Sequence, residues 1–170
     1  MVNSPIHVFA YGSNMCTERL RARVASAAPL AIGYVTRRRL AFHKRGNDGS
    51  AKADAVYTGR IRDCVWGVVF SLRSDEKSVL DEFEIGYHEE QVVVIGKTDV
   101  LHASVYVASD ETVDASLSPF CWYHRFVVQG AKQHRLPTDY VQQLQGIESV
   151  TDHDGERLRR GEHALTITRR

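Results

Sequence analysis

Apolar and polar positions alternate along this chain in short runs, most of them strand-length. Residues 6–11 predict a first strand and residues 17–24 a short helix. Segments 29–35 and 38–44 are strand-like, with a bulge or bend expected at Gly33. Residues 45–53, rich in Gly, Asn, Asp, Ser and Lys, have no apolar period and predict a mobile loop. Segments 54–61 and 65–72 read as a hairpin joined by Arg62-Asp63-Cys64. A helix follows from Ser74, a plausible N-cap, through Asp75 and Glu76 to about Glu84, ending near Gly86.

Segments 91–98 and 101–108 predict a second strand pair. Residues 119–134 are helix-like, Leu136-Pro137 interrupts them, and a second helix runs from Thr138 to Gln145 with Gly146 as its C-cap. The domain is expected to span 1–150. The charged tail 151–170 is expected to be partly disordered, or to add an edge strand with its last residues. Strands thus dominate, with helices between them and at the end. That pattern favours an α+β fold over a doubly wound parallel sheet.

Composition adds bounds. With 170 residues and 43% hydrophobic content, one domain with a sizeable core is expected. The net charge of +1 gives no reason to expect a nucleic-acid or membrane-surface partner. Arg37-Arg38-Arg39 and Arg159-Arg160 read as solvated faces or strand edges. No apolar stretch has the length of a membrane span, and the N-terminus lacks a basic region followed by an apolar segment. Cys16, Cys64 and Cys121 are odd in number and widely spaced, as suits a reducing cytoplasm, and Cys16 reads as a small, partly buried structural thiol. The eight histidines show no metal-ligand spacing.

One stretch carries candidate chemistry. The run His7-Val8-Phe9-Ala10 meets Tyr11-Gly12-Ser13-Asn14 and stops, and a helical pattern begins at Thr17. Such a passage leaves backbone N–H groups that can cradle a carboxylate or oxyanion. Gly12 allows positive φ or close approach to a ligand. Plain turn chemistry explains the same residues. In the acidic helix that follows Ser74, a helical wheel places Val79, Leu80 and Phe83 on the buried face and Asp81 opposite. Glu82 and Glu84 both fall at the border, and periodicity does not choose between them.

The segment Phe9-Ala10-Tyr11-Gly12-Ser13-Asn14-Met15 resembles the first-strand signature of the gamma-glutamylcyclotransferase family. Val65-Trp66-Gly67-Val68-Val69-Phe70 followed by Leu80-Asp81-Glu82-Phe83-Glu84 is similar to a second segment. Tyr123, Gly130-Ala131-Lys132, Leu136-Pro137 and Tyr140 are similar to a third. The resemblance implies a small, mixed, mostly antiparallel β-barrel with flanking helices and a cavity at one end. It implies that Glu84, not Glu82, is the catalytic acid and base, and that Tyr123 lines the pocket beside Tyr11, Gly12, Ser13 and Asn14.

The implied reaction turns a γ-glutamyl amine or amino acid into 5-oxoproline and a free amine, with no metal or other cofactor. The expected partner is therefore a small γ-glutamyl molecule; whether the chain is a monomer or a homodimer is left open. Gly130-Ala131 is expected to allow close helix packing. Gln91 stands where better-known members have a pocket tyrosine, and Tyr87 is the candidate to compensate, with His88 also near the pocket. Two competing readings are an acyl hydrolase using Ser13 as nucleophile and a non-catalytic module that binds a small acid. Ser13 lacks the Gly-x-Ser-x-Gly form of a nucleophile elbow.

Overall fold

The computed structural model describes residues 4–167. Its seven strands are β1 (Ile6–Ala10), β2 (Ala28–Thr36), β3 (Arg38–Arg45), β4 (Ala51–Tyr57), β5 (Cys64–Leu72), β6 (Tyr87–Ile95) and β7 (Val100–Ala108). Five of them close into a barrel in the order β1-β5-β2-β6-β7, and β3 and β4 form a separate antiparallel ribbon. β1 lies antiparallel to β5, with Val8 opposite Phe70, and meets β7 in parallel at Val8 and Ser104. All other strand pairs are antiparallel. The expected small, mostly antiparallel barrel with flanking helices is the fold observed.

The hairpin expected between 54–61 and 65–72 does not form. β4 pairs with β3 instead, Ala55 facing Leu40, while β5 sits between β1 and β2. Alternation identifies which side of a strand is apolar but says nothing about its neighbour. Here the near-continuous apolar run of β5, buried from Val65 through Phe70 apart from Trp66, suits a strand covered on both faces. Residues 46–50 close the β3–β4 ribbon through bonds such as Gly46 N–H to the Ser50 carbonyl at 2.9 Å, so the expected long loop is a short bonded turn. The irregularity in β2 falls between Pro29 and Ala31, not at Gly33, which pairs in register with Gly67.

Among the described residues, five α-helices flank the strands: α1 (Thr17–Arg21), α2 (Lys77–Phe83), α3 (Cys121–Gln133), α4 (Thr138–Gln145) and α5 (Gly155–Ile167). One core joins Val8, Ala10, Val68 and Phe70 of the barrel to Leu20, Phe126, Val127 and Leu144 of the helices. A second is built mostly of strand residues, among them Phe9, Val65, Val69 and Val105, and includes Tyr11 just past β1. β1 serves both because successive side chains point to opposite faces. Each fully buried Phe, Leu or Val contributes about 1.5–3 kcal/mol.

The tail forms α5, and no edge strand appears over its described residues. Arg157 grips both carboxylate oxygens of buried Asp152 at 2.6 Å, and the Trp122 indole N–H donates to the same carboxylate at 2.9 Å. These bonds hold the Asp152 acid down at about 2, the Arg157 contact foremost. Arg38 is not a solvated residue either. It is buried, donates to the Ala55 carbonyl at 2.8 Å and pairs with Glu90.

Candidate active site

The Tyr11–Asn14 passage is shaped by two close approaches. Ser13–Met15 form a single 3-10 turn directly before α1. Gly12 has φ −107°, so it is not there for a left-handed backbone. A Cβ at Gly12 would lie 3.0 Å from the Ala53 Cβ and 3.4 Å from the Tyr123 hydroxyl. On the other side α3 presses on the turn at Gly130, where a Cβ would lie 2.5 Å from the Cys16 nitrogen. The expected close packing at Gly130 is thus packing against the candidate site itself.

Glu84 is the residue that ends α2, with φ −102° and ψ 31°. Gly86, at φ +82°, then turns the chain into β6. This places the Glu84 carboxylate against the first turn. Its Oε1 accepts from the Asn14 side-chain amide at 2.8 Å, and the Arg23 guanidinium lies 3.9 Å away. Arg23 also donates to the Asn14 side-chain oxygen at 3.1 Å. The Glu84 side chain is only 11% exposed. Burial raises its proton affinity above that of an ordinary glutamate, against the pull of Arg23, Asn14, Lys44 and Arg19.

The rest of α2 departs from the expected wheel. Leu80 is buried, but Val79 is 38% and Phe83 50% exposed. Phe83 instead carries the Arg23 guanidinium on its ring at 4.9 Å. Asp81 is half-exposed and bonded, accepting from Lys77 and from the Tyr106 hydroxyl. Glu82 is exposed. No side-chain cap is made at the start of the helical segment, and the expected capping role of Ser74 is not realised.

A cavity of about 260 Å³ opens between these elements, and Tyr11, Gly12, Ser13, Asn14, Glu84 and Tyr123 all line it. The Tyr123 hydroxyl accepts from the Ala53 N–H at 3.0 Å. Ser13 accepts from Arg19 Nε at 3.1 Å. Tyr11 donates to the Tyr106 carbonyl, and both Tyr11 and Tyr123 are held protonated chiefly by burial. Tyr87 lines the cavity and donates to the Ala53 carbonyl at 2.8 Å. Gln91 and His88 are exposed and bonded elsewhere, to Ser104 and Glu90.

Sequence reasoning missed the cations. Arg19, Arg23, Lys44 and Lys52 line the cavity, against the two acids Glu82 and Glu84. Arg19 and Arg23 are four residues apart after a turn motif, a helical spacing that could have revealed them. Arg19 stacks on Phe126 at 4.5 Å; burial first, then Arg23, lowers it to about 10, so it stays charged at neutral pH. Lys52 is paired with Asp48 at 2.6 Å. Among the described residues, no three of His, Cys, Asp and Glu converge as a metal site, and no helix is long and apolar enough to cross a membrane.

Residues 64–144 match the AIG2-like family. The gamma-glutamylcyclotransferase of Homo sapiens is 32% identical over 166 residues, covering 87% of this chain and 81% of its own. That of Bos taurus is 30% identical with the same coverage of both chains. A solved gamma-glutamyl cyclotransferase superposes with a TM-score of 0.84 at 26% identity, covering 98% of this chain and 99% of its own.

Proposed function

Because this chain belongs to the gamma-glutamylcyclotransferase family, we propose that it converts a γ-glutamyl amino acid or amine to 5-oxoproline, with Glu84 as the acid and base. The observation that carries this reading is the buried Glu84 carboxylate, hydrogen-bonded to Asn14 inside a cavity of about 260 Å³. That volume lies just under the roughly 300–1,000 Å³ of drug-sized sites and suits a dipeptide-sized substrate.

Nucleophile and electrophile belong to the same substrate, so holding the glutamyl chain folded removes most of the entropic barrier. The α-ammonium must first lose a proton. A carboxylate with raised proton affinity is the better base for it. The freed amine attacks the γ-carbonyl carbon, a tetrahedral intermediate forms, and the bond to the leaving nitrogen breaks. Glu84 returns the proton to that nitrogen, and the second proton shed by the ring nitrogen leaves with the departing amine as its ammonium. The first N–H groups of the Ser13–Met15 turn have no partner within the turn itself and are the candidate donors to the oxyanion. The site is expected to work in a reducing cytoplasm.

The test is release of 5-oxoproline from a panel of γ-glutamyl amino acids and γ-glutamyl amines. Turnover of at least one, lost in Glu84→Gln, is the expected result. A folded protein that releases 5-oxoproline from none of them overturns the proposal. Ser13→Ala separates it from acyl transfer through a serine: the hydrogen bond that Ser13 accepts from Arg19 supports a positioning hydroxyl, so much of the activity should survive.

A further inference from the structure

Lys44 is a buried cation that faces the cavity. It lines the cavity, is 5% exposed, and finds no carboxylate within 4.0 Å among the described residues. Lys52 and Lys77, by contrast, both hold acids within 3 Å. An ammonium has three donors. The Lys44 Nζ places one on the Ile85 carbonyl at 2.7 Å and stacks on the Tyr87 ring at 4.7 Å. A buried cation in this state is costly unless an anion arrives to pair with it.

The position is built, not incidental. The β3–β4 register shifts between Phe42 and Lys44, a bulge at His43, and a bulge re-aims the side chain that follows. His43 is fixed by Asp54 at 2.7 Å, and Asp54 is anchored in turn by the Ala108 N–H at 2.9 Å. The turn that carries Glu84 leaves room for the lysine: a Cβ on Gly86 would lie 2.9 Å from its Cε and 3.0 Å from its Nζ. The Lys44 ammonium thus contacts the same Glu84–Tyr87 turn that carries the Glu84 carboxylate. Burial pulls the Lys44 ammonium below the usual lysine range, and Glu84 opposes that shift.

On the reading of the site given above, we propose that Lys44 binds a carboxylate of the γ-glutamyl substrate. Two carboxylates qualify: the α-carboxylate of the glutamyl group, and that of a leaving amino acid. Either would place an anion against Nζ while Glu84 handles the proton.

The test is a binding cycle in the Glu84→Gln background, chosen to block turnover. Calorimetry compares Lys44 with Lys44→Met and Lys44→Gln, the latter keeping a donor for the Ile85 carbonyl. The ligands are γ-glutamyl-alanine, its analogue with the alanine carboxylate made an amide, and its analogue without the glutamyl α-carboxylate. A charged hydrogen bond is worth about a ten- to hundred-fold change in affinity. The expected result is that loss for γ-glutamyl-alanine in both variants, and no loss for the one analogue that already lacks the bound carboxylate.

Which analogue is insensitive identifies the carboxylate. Equal losses for all three ligands, no loss for any, or no binding to any variant overturns the proposal. Failure of the cyclisation reading is read separately, by 5-oxoproline release from the wild-type chain.

Discussion

The side-chain amide of Asn14 donates to the carboxylate of Glu84 across 2.8 Å, although the two residues stand 70 positions apart. One follows the first strand and the other ends a helix halfway along the chain. The contact joins the two most distinctive segments of the sequence, and the first expected outcomes concern it.

Replacing Glu84 with Gln keeps the shape of the side chain and removes its ability to take the ammonium proton. The kcat for 5-oxoproline formation should fall by about 10²–10⁴. Glu82→Gln, at an exposed position, should change kcat far less. The comparison is made by steady-state kinetics on both variants, with circular dichroism to confirm folding. A larger loss in Glu82→Gln would reverse the assignment.

Asn14→Ala removes a hydrogen bond that favours the charged form of Glu84. The carboxyl should then hold its proton to higher pH. In a pH profile of kcat/KM, the acidic limb should move upward relative to wild type. An unmoved limb with only a scaled-down rate would show that Asn14 serves the substrate and not the acid.

Burial of Glu84 also makes stability depend on pH. Its proton affinity is raised in the folded state, so on raising pH the unfolded chain ionises first. The contribution of this group is therefore fully present below the ordinary glutamate range and is lost as pH rises through the folded value. Glu84→Gln has no such loss. Its melting temperature relative to wild type should climb between acid and neutral pH, as measured by calorimetric scans. A constant difference across that window would contradict the raised affinity.

Gly130→Ala tests the packing behind the site. The added Cβ would lie 2.5 Å from the Cys16 nitrogen and 2.6 Å from the Met15 carbonyl carbon, both backbone atoms. Relief requires moving α3 or the 13–15 turn. Overpacking of this kind costs about 1–3 kcal/mol, readable as a lower urea midpoint. Activity should fall as well, because the displaced turn carries Asn14.

The strands were legible from alternation, and the Tyr11–Asn14 turn and Glu84 from their resemblance to known segments. Three things were not legible, each for a physical reason. The partner of β4 depends on which strand edges remain open, and its own alternation does not encode that. The exposure of Val79 and Phe83 comes from the shortness of α2, seven residues long, which allows little more than Leu80 to reach the core. Lys44 reaches the cavity through a bulge, which shifts a strand's faces by one residue and so defeats simple alternation. The helix α5 did carry a signal, Leu158, Gly161 and Leu165 at helical spacing, hidden by the charge around it.

The parallel contact of β1 with β7 sets an order of assembly. During synthesis β1 emerges first, yet its two neighbours are encoded far downstream, β5 ending at Leu72 and β7 at Ala108. Until both have left the ribosome, β1 has an unpaired edge. The α3 helix that clamps this turn is made later still. A nascent chain of this protein therefore has no working site for most of its translation, and a late-made helix, α3, completes the first-made turn.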